Sequence, residues 1–185
     1  MNSRWLQALH AWTGRASVDS AAYRIVREFR ARVAELGFAP LIERIRQIDP
    51  EYPFNGARAY EGPLWALVSE RPMHRLDPKF KTWPDLLVAA ADLVVEDARK
   101  AGGLASYTWG RVNTVRIRHP FSTAMPMLAP LLDMSTEELP GDSNMPRVQG
   151  PTAGASERFA VSPGREKDGY FHMPTGQSGH PLSAH

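Results

Sequence analysis

SVDSAAYRIVREFRARVAELG, Ser17 to Gly37, is the stretch on which the fold class turns. Val18, Ala22, Ile25, Val26, Phe29, Val33 and Leu36 recur at helical spacing, and Arg24, Arg27, Arg30, Arg32 and Glu35 occupy the other faces. The spacing predicts an amphipathic helix over Val18 to Leu36, with Ser17 as its N-cap and Gly37 as its stop. An apolar stripe of this length must be buried against other elements.

Elements of the same kind flank it. Trp5, Leu9 and Trp12 fall on one side of a shorter helix ending at Gly14. After Pro40, Leu41, Ile42, Ile45 and Ile48 mark a further helix, which Asp49-Pro50 ends. Pro63 opens another that runs from Leu64 to Glu70. The fifth is the best marked. Thr82-Trp83-Pro84-Asp85 combines a capping residue, an early proline and an acid placed to complete a capping box. Leu86, Leu87, Ala90, Leu93, Val94 and Ala98 then repeat at helical spacing up to Gly102-Gly103.

The texture changes after about residue 105. More than half of the 16 prolines lie beyond His119, which favours turns and short extended segments. Val115 and Ile117 alternate with Arg116 and Arg118, so Arg111 to Arg118 reads as a strand ended by Pro120. Glu157 to Val161 and Tyr170 to Met173 read as two arms of a hairpin across SPGREKDG. The run AMPMLAPLLDM, Ala124 to Met134, reads as a buried irregular core segment, because methionine fills irregular gaps; an exposed partner groove is the alternative. The expected organisation is therefore α+β, helical over 1–105 and strand- and loop-rich over 106–185.

Composition excludes several classes of function. The 185 residues suffice for a buried core. A net charge of +2, from 22 basic and 20 acidic residues without a basic stripe, argues against nucleic acid as a partner. Cysteine is absent, which removes disulfides, thiol nucleophiles and thiolate metal sites. No segment approaches the roughly 18 uncharged apolar residues of a membrane span, so no membrane partner is expected. The N-terminal segment lacks the apolar run and small-residue site of a signal peptide.

Candidate chemistry fails specific checks. Gly176-Gln177-Ser178-Gly179-His180 holds the first glycine and serine of a nucleophile elbow, but His180 replaces the second glycine and Pro181 opposes the helix that must follow. Gly154-Ala155-Ser156-Glu157-Arg158 has Arg158 at that glycine and enters a strand rather than leaving one. His119, His172 and His180, with Asp142, show none of the short fixed spacings of metal sites. The expectation is no cofactor, no metal and no catalytic residue in this segment.

Read in order, five motifs point further. Tyr107-Thr108-Trp109-Gly110-Arg111-Val112-Asn113, then Ile117-Arg118-His119-Pro120, then Leu139-Pro140-Gly141-Asp142-Ser143-Asn144-Met145-Pro146-Arg147-Val148, then Gly154-Ala155-Ser156-Glu157-Arg158, and last Pro174-Thr175-Gly176-Gln177-Ser178-Gly179-His180-Pro181-Leu182-Ser183 resemble the C-terminal part of the large (beta) subunit of the penicillin acylase (penicillin amidase) family. Leu9, Trp12 and Gly14, followed by Asp19-Ser20-Ala21-Ala22, are similar to an earlier segment of that subunit, although Trp12-Thr13-Gly14 departs from its Trp-Asp-Gly.

The resemblance implies a four-layer αββα N-terminal-nucleophile hydrolase. Such an enzyme hydrolyses the linear amide of an N-acyl substrate, either a β-lactam antibiotic, with a link to antibiotic biosynthesis, or an acyl-homoserine lactone. The nucleophile is a serine exposed by self-cleavage, whose own α-amino group, with an ordinary pKa of roughly 7.7 to 8.0, serves as base. The resemblance places that serine and the oxyanion asparagine upstream of this segment. Neither role passes to Ser143-Asn144, which belongs to the Gly141-Asp142 motif, nor to Ser3.

The same resemblance makes the rest of the acylase, the N-terminal part of the large subunit and the small subunit, the expected partner. It implies a periplasmic or extracellular location, and on the family pattern both ends of the chain read as cut. The alternative is a non-catalytic assembly module or a truncated remnant without activity of its own.

Overall fold

The computed structural model describes residues 3–52, 60–143, 145–153 and 158–172. The chain divides into two compact units, one made of Met1–Trp12 and Ala21–Tyr107 and the other of Thr13–Ser20 and Thr108–His185.

The first unit is helical: α1 (Ser3–His10), α2 (Ala21–Arg46), α3 (Glu61–Glu70) and α4 (Trp83–Lys100). Its start on α4 follows the sequence reading. Thr82 Oγ1 accepts from the backbone N–H of Asp85 at 3.3 Å, and Asp85 Oδ2 accepts from the backbone N–H of Thr82 at 2.9 Å. This reciprocal capping box satisfies two donors that the first turn leaves open. From there Trp83, Leu86, Ala90, Val94 and Ala98 form a buried stripe. Alanine at 90 and 98 keeps that face thin where α2 packs on α4.

The stripe serves two cores. Leu86 and Ala90 join Val33, Ala34, Phe38 and Ile42 of α2, Leu64 of α3, and Leu76. Val94 and Ala98 join Ile25 and Tyr107, with Trp5 and Leu9 of α1 packed at the side. Arg32 adds a polar clasp across the two helices, its Nη2 lying 3.0 Å from Asp97 Oδ2. Arg30 pairs with Glu61 at the start of α3.

The long helix corrects three expectations. It begins at Ala21 rather than Val18, because Ser20 N–H bonds the Ser17 carbonyl at 3.1 Å, and that turn makes Ser17 part of a loop instead of a cap. Gly37 does not stop it, and the helix expected after Pro40 is its continuation. Phe38 and Ile42 extend the buried stripe past both breakers. Burying two such side chains contributes about 1.5–3 kcal/mol each, of the same order as the roughly 1 kcal/mol for glycine and roughly 3 for proline together.

Among its described residues the second unit has little regular structure: two short helices, α5 (Pro120–Ala124) and α6 (Ala129–Leu132), and a two-stranded antiparallel sheet of β1 (Arg158–Ala160) and β2 (Tyr170–His172). The hairpin expected across SPGREKDG is present, with Phe159 opposite Phe171.

The strand expected over Arg111 to Arg118 is not. Among the described residues, 111–118 make a single bridge, Thr114 to Glu138. Val115 N–H bonds the Glu137 carbonyl at 2.9 Å, whereas Arg116 N–H turns to the Pro151 carbonyl at 2.6 Å. Consecutive residues thus serve different neighbours, and no ladder propagates.

The run Ala124 to Met134 also departs from expectation. It winds through short helical turns and is open to solvent, with Met127 at 83% exposure and Met125, Leu131 and Met134 exposed as well. Its turns pack on one another rather than beneath a core layer.

Candidate functional site

Two of the family-like motifs, Trp109–Asn113 and Leu139–Asp142, meet in the second unit. Trp109-Gly110-Arg111-Val112-Asn113 turns back on itself, with the N–H groups of Val112 and Asn113 both bonding the Trp109 carbonyl, at 3.1 and 3.0 Å. That turn aims two side-chain donors at Leu139-Pro140-Gly141. Trp109 Nε1–H donates to the Gly141 carbonyl at 2.7 Å. Asn113 Nδ2 donates to the carbonyls of Leu139 at 2.9 Å and Gly141 at 3.2 Å. Asn113 is 2% exposed and Trp109 7%, so these bonds replace water that the groups have lost.

A third segment closes the cluster. Within the strap Thr13–Ser20, the carbonyls of Ala16, Val18 and Ser20 accept from the N–H groups of Gly141 at 2.7 Å, Gly110 at 2.8 Å and Trp109 at 3.1 Å. Both glycines are needed there. Gly141 has φ +84°, and a Cβ on it would overlap the Arg147 carbonyl oxygen; a Cβ on Gly110 would overlap the Glu138 side chain. Asp142, also buried, has its backbone N–H on the Arg147 carbonyl at 3.2 Å, and its Oδ1 accepts from Ser143 N–H at 2.6 Å.

The chemistry available to this cluster is limited. Asn113 spends its amide donors on two backbone carbonyls, so it has none aimed at a substrate oxygen. Asp142 turns one carboxylate oxygen onto its own loop. Trp109, Gly110, Asn113 and Gly141 thus act on the backbone, holding three separated segments together.

A second cluster was not read from the sequence. His119, Ser122 and Asp133 converge at the start of α5. Asp133 Oδ1 accepts from the His119 backbone N–H at 2.9 Å and from the Ser122 hydroxyl, and these two bonds, the hydroxyl first, hold the Asp133 carboxyl below the ordinary aspartate range. Serine, histidine and aspartate in proximity suggest a triad, but the directions are wrong for one. The Ser122 hydroxyl points to the carboxylate and to the His119 carbonyl. The imidazole Nδ1 accepts from Phe121 N–H at 3.1 Å, capping the helix. A catalytic serine needs its proton directed at the imidazole. The sequence signal for this cap was His119-Pro120, with proline at the first helical position; histidine in the capping place hid it.

The other sequence candidates stand as follows. Ser143 is exposed and lies in the Gly141–Asp142 turn. Ser3 is the first residue of α1, and His172 is the last of β2. Ser156, Ser178, His180 and Asn144 lie outside the described residues. Among the described residues no three His, Asp or Glu side chains converge as a metal site would require, and no helix is long and apolar enough to cross a membrane.

The mixture of a helical unit and a hairpin-bearing, loop-rich unit is of the α+β class. The family model described as penicillin amidase matches residues 1–185, the whole chain. The protein belongs to the penicillin amidase family, a family of amide hydrolases. No curated protein matches the chain.

Proposed function

We propose that this chain is the C-terminal portion of the large subunit of an N-terminal-nucleophile amidohydrolase, and that the complete enzyme hydrolyses the linear amide of an N-acyl substrate such as a β-lactam or an acyl-homoserine lactone. The observation that carries the reading is the match of the family along all of residues 1–185. In this reading residues 1–105 supply helices to an αββα sandwich, and residues 106–185 supply loops and a few strands.

The reaction is acyl transfer to a serine, then to water. The serine hydroxyl adds to the amide carbonyl, its proton passes to the serine's own α-amino group and on to the departing amine, and water releases the acid. Both that serine and the asparagine that steadies the oxyanion come from the remainder of the acylase. The Trp109–Asn113–Gly141 cluster serves as scaffold, which its saturated hydrogen bonds support.

Exposed apolar residues favour a covering partner. Phe159 and Phe171 face each other across the hairpin at 68% and 67% exposure, and Met127 stands at 83%. An isolated two-stranded hairpin is marginal in water, so further strands or helices over Phe159 and Phe171 suit it.

The test is reconstitution. The 185-residue chain alone is expected to release no amine from an N-acyl amide, whereas co-expression with the remainder of the acylase restores turnover. Hydrolysis by the chain alone, lost on replacing one of its own serines, would refute the proposal.

A further inference from the structure

In the first unit a cavity of about 660 Å³ lies between the second half of α2, α3 and the loop Pro72–Pro78. Its size falls within the roughly 300–1,000 Å³ of small-molecule sites. Phe38 and Leu76, both buried in the core, line it from below, and Leu41 and Leu67 extend the apolar wall. The rim is charged. Arg44 and Arg75 line it together with His74, and Glu70 is the one carboxylate among the lining residues. With His74 neutral, two arginines against one glutamate leave a single positive charge.

Arg44 and Arg75 differ from Arg30 and Arg32 of α2. Arg30 is paired with Glu61, and Arg32 with Asp97 and Glu35. Arg44 and Arg75 form no ion pair with a described residue, and both are exposed at the mouth of an apolar hollow. A guanidinium there can take a carboxylate in a two-pronged grip while the apolar body of the ligand covers Leu41 and Leu67.

The walls are fixed beforehand. Pro40, Pro63, Pro72 and Pro78 line the cavity, and Trp83 Nε1–H holds the Pro72 carbonyl at 3.3 Å. Leu76 anchors the loop in the core. Arg71, between lining residues Glu70 and Pro72, takes φ 52°, the left-handed region, and is alone in this among the described non-glycine residues. A wall held in place before binding loses less entropy when a ligand arrives.

We propose that this cavity is a binding site for an amphipathic monocarboxylate, with the carboxylate between Arg44 and Arg75 and the alkyl body over Phe38, Leu41 and Leu67. The proposal is independent of the amidase reading, since it needs neither a nucleophile nor a partner chain.

The test titrates the 185-residue chain with octanoate, and with octan-1-ol as the uncharged counterpart, by calorimetry, following the His74 ring proton by NMR. Octanoate is expected to bind at least about tenfold more tightly than octan-1-ol, with His74 shifting and His10, on α1, unmoved. The double variant Arg44→Ala/Arg75→Ala loses about tenfold or more for octanoate and leaves octan-1-ol unchanged. Leu41→Asp, at a half-exposed position that tolerates polarity, abolishes octanoate binding. The proposal is overturned by no octanoate binding at millimolar concentration, by equal affinity for octan-1-ol, by undiminished octanoate binding in the double variant, or by equal shifts at His74 and His10.

Discussion

The indole of Trp109 and the backbone carbonyl of Gly141 are joined by a hydrogen bond of 2.7 Å across which both groups are buried. Asn113 bonds the same carbonyl, so the oxygen has two donors. Trp109→Phe removes one donor and leaves the other, with an expected loss of about 1–2 kcal/mol of stability in denaturant unfolding. Gly141→Ala is expected to cost more, about 3 kcal/mol, because it adds left-handed strain to a clash with the Arg147 carbonyl. The order matters: alanine at 141 milder than phenylalanine at 109 would contradict the close approach described.

Gly37 gives the opposite sign. It sits inside α2 with ordinary helical geometry, and a Cβ there would lie 3.9 Å from the Trp83 ring, an ordinary contact. Gly37→Ala is therefore expected to stabilise by about 0.5–1 kcal/mol, raising the melting temperature by a few degrees in calorimetry. A lower melting temperature would mean that the helix is not continuous at this point.

Arg71 ends α3 in the left-handed conformation, its N–H closing onto the Leu67 carbonyl at 3.0 Å. Glycine adopts that conformation without a Cβ penalty, and a β-branched residue resists it. Thermal melts of Arg71→Gly, wild type and Arg71→Val are expected to fall in that order of stability, with valine about 1–2 kcal/mol below wild type. Valine equal to arginine would argue against the left-handed turn.

Asp133 predicts a pH effect with a definite sign. Its carboxyl is held below the ordinary value by the Ser122 hydroxyl and then by the His119 backbone N–H. A carboxylate whose pKa is lower folded than unfolded contributes stability above its unfolded pKa and loses it as pH falls through the folded one. The His119 amide shift is expected to titrate with a midpoint below about 3.9, and the titration to vanish in Asp133→Asn. A midpoint at or above that value would show that the two bonds do not persist in solution.

Which parts of this fold were legible follows from where their causes lie. The start of α4 was readable because Thr82, Pro84 and Asp85 act on one another within a single turn. The hairpin was readable because its loop carries its own turn formers. The extent of α2 was not, since Gly37 and Pro40 are local stop signals overridden by burial of Phe38 and Ile42 against α3 and α4. The alternation at Arg111 to Arg118 misled for a related reason: strand periodicity reports exposure, whereas pairing depends on distant partners, here Glu137 and Pro151. Of the site, the Trp-Gly and Gly-Asp motifs were visible as a resemblance to a family. That Trp109 and Asn113 both close on one carbonyl could be seen only in three dimensions.

The strap Thr13–Ser20 gives the chain a schedule. It leaves the ribosome well before the residue that closes it, for its Ala16 carbonyl receives its donor from Gly141, far along the sequence. The loop-rich unit therefore cannot lock until Gly141 has been made, whereas the helices between Ala21 and Tyr107 have their partners at hand much sooner. During synthesis the strap must wait for a partner more than a hundred residues away, and contacts of such sequence separation are the kind that slow folding.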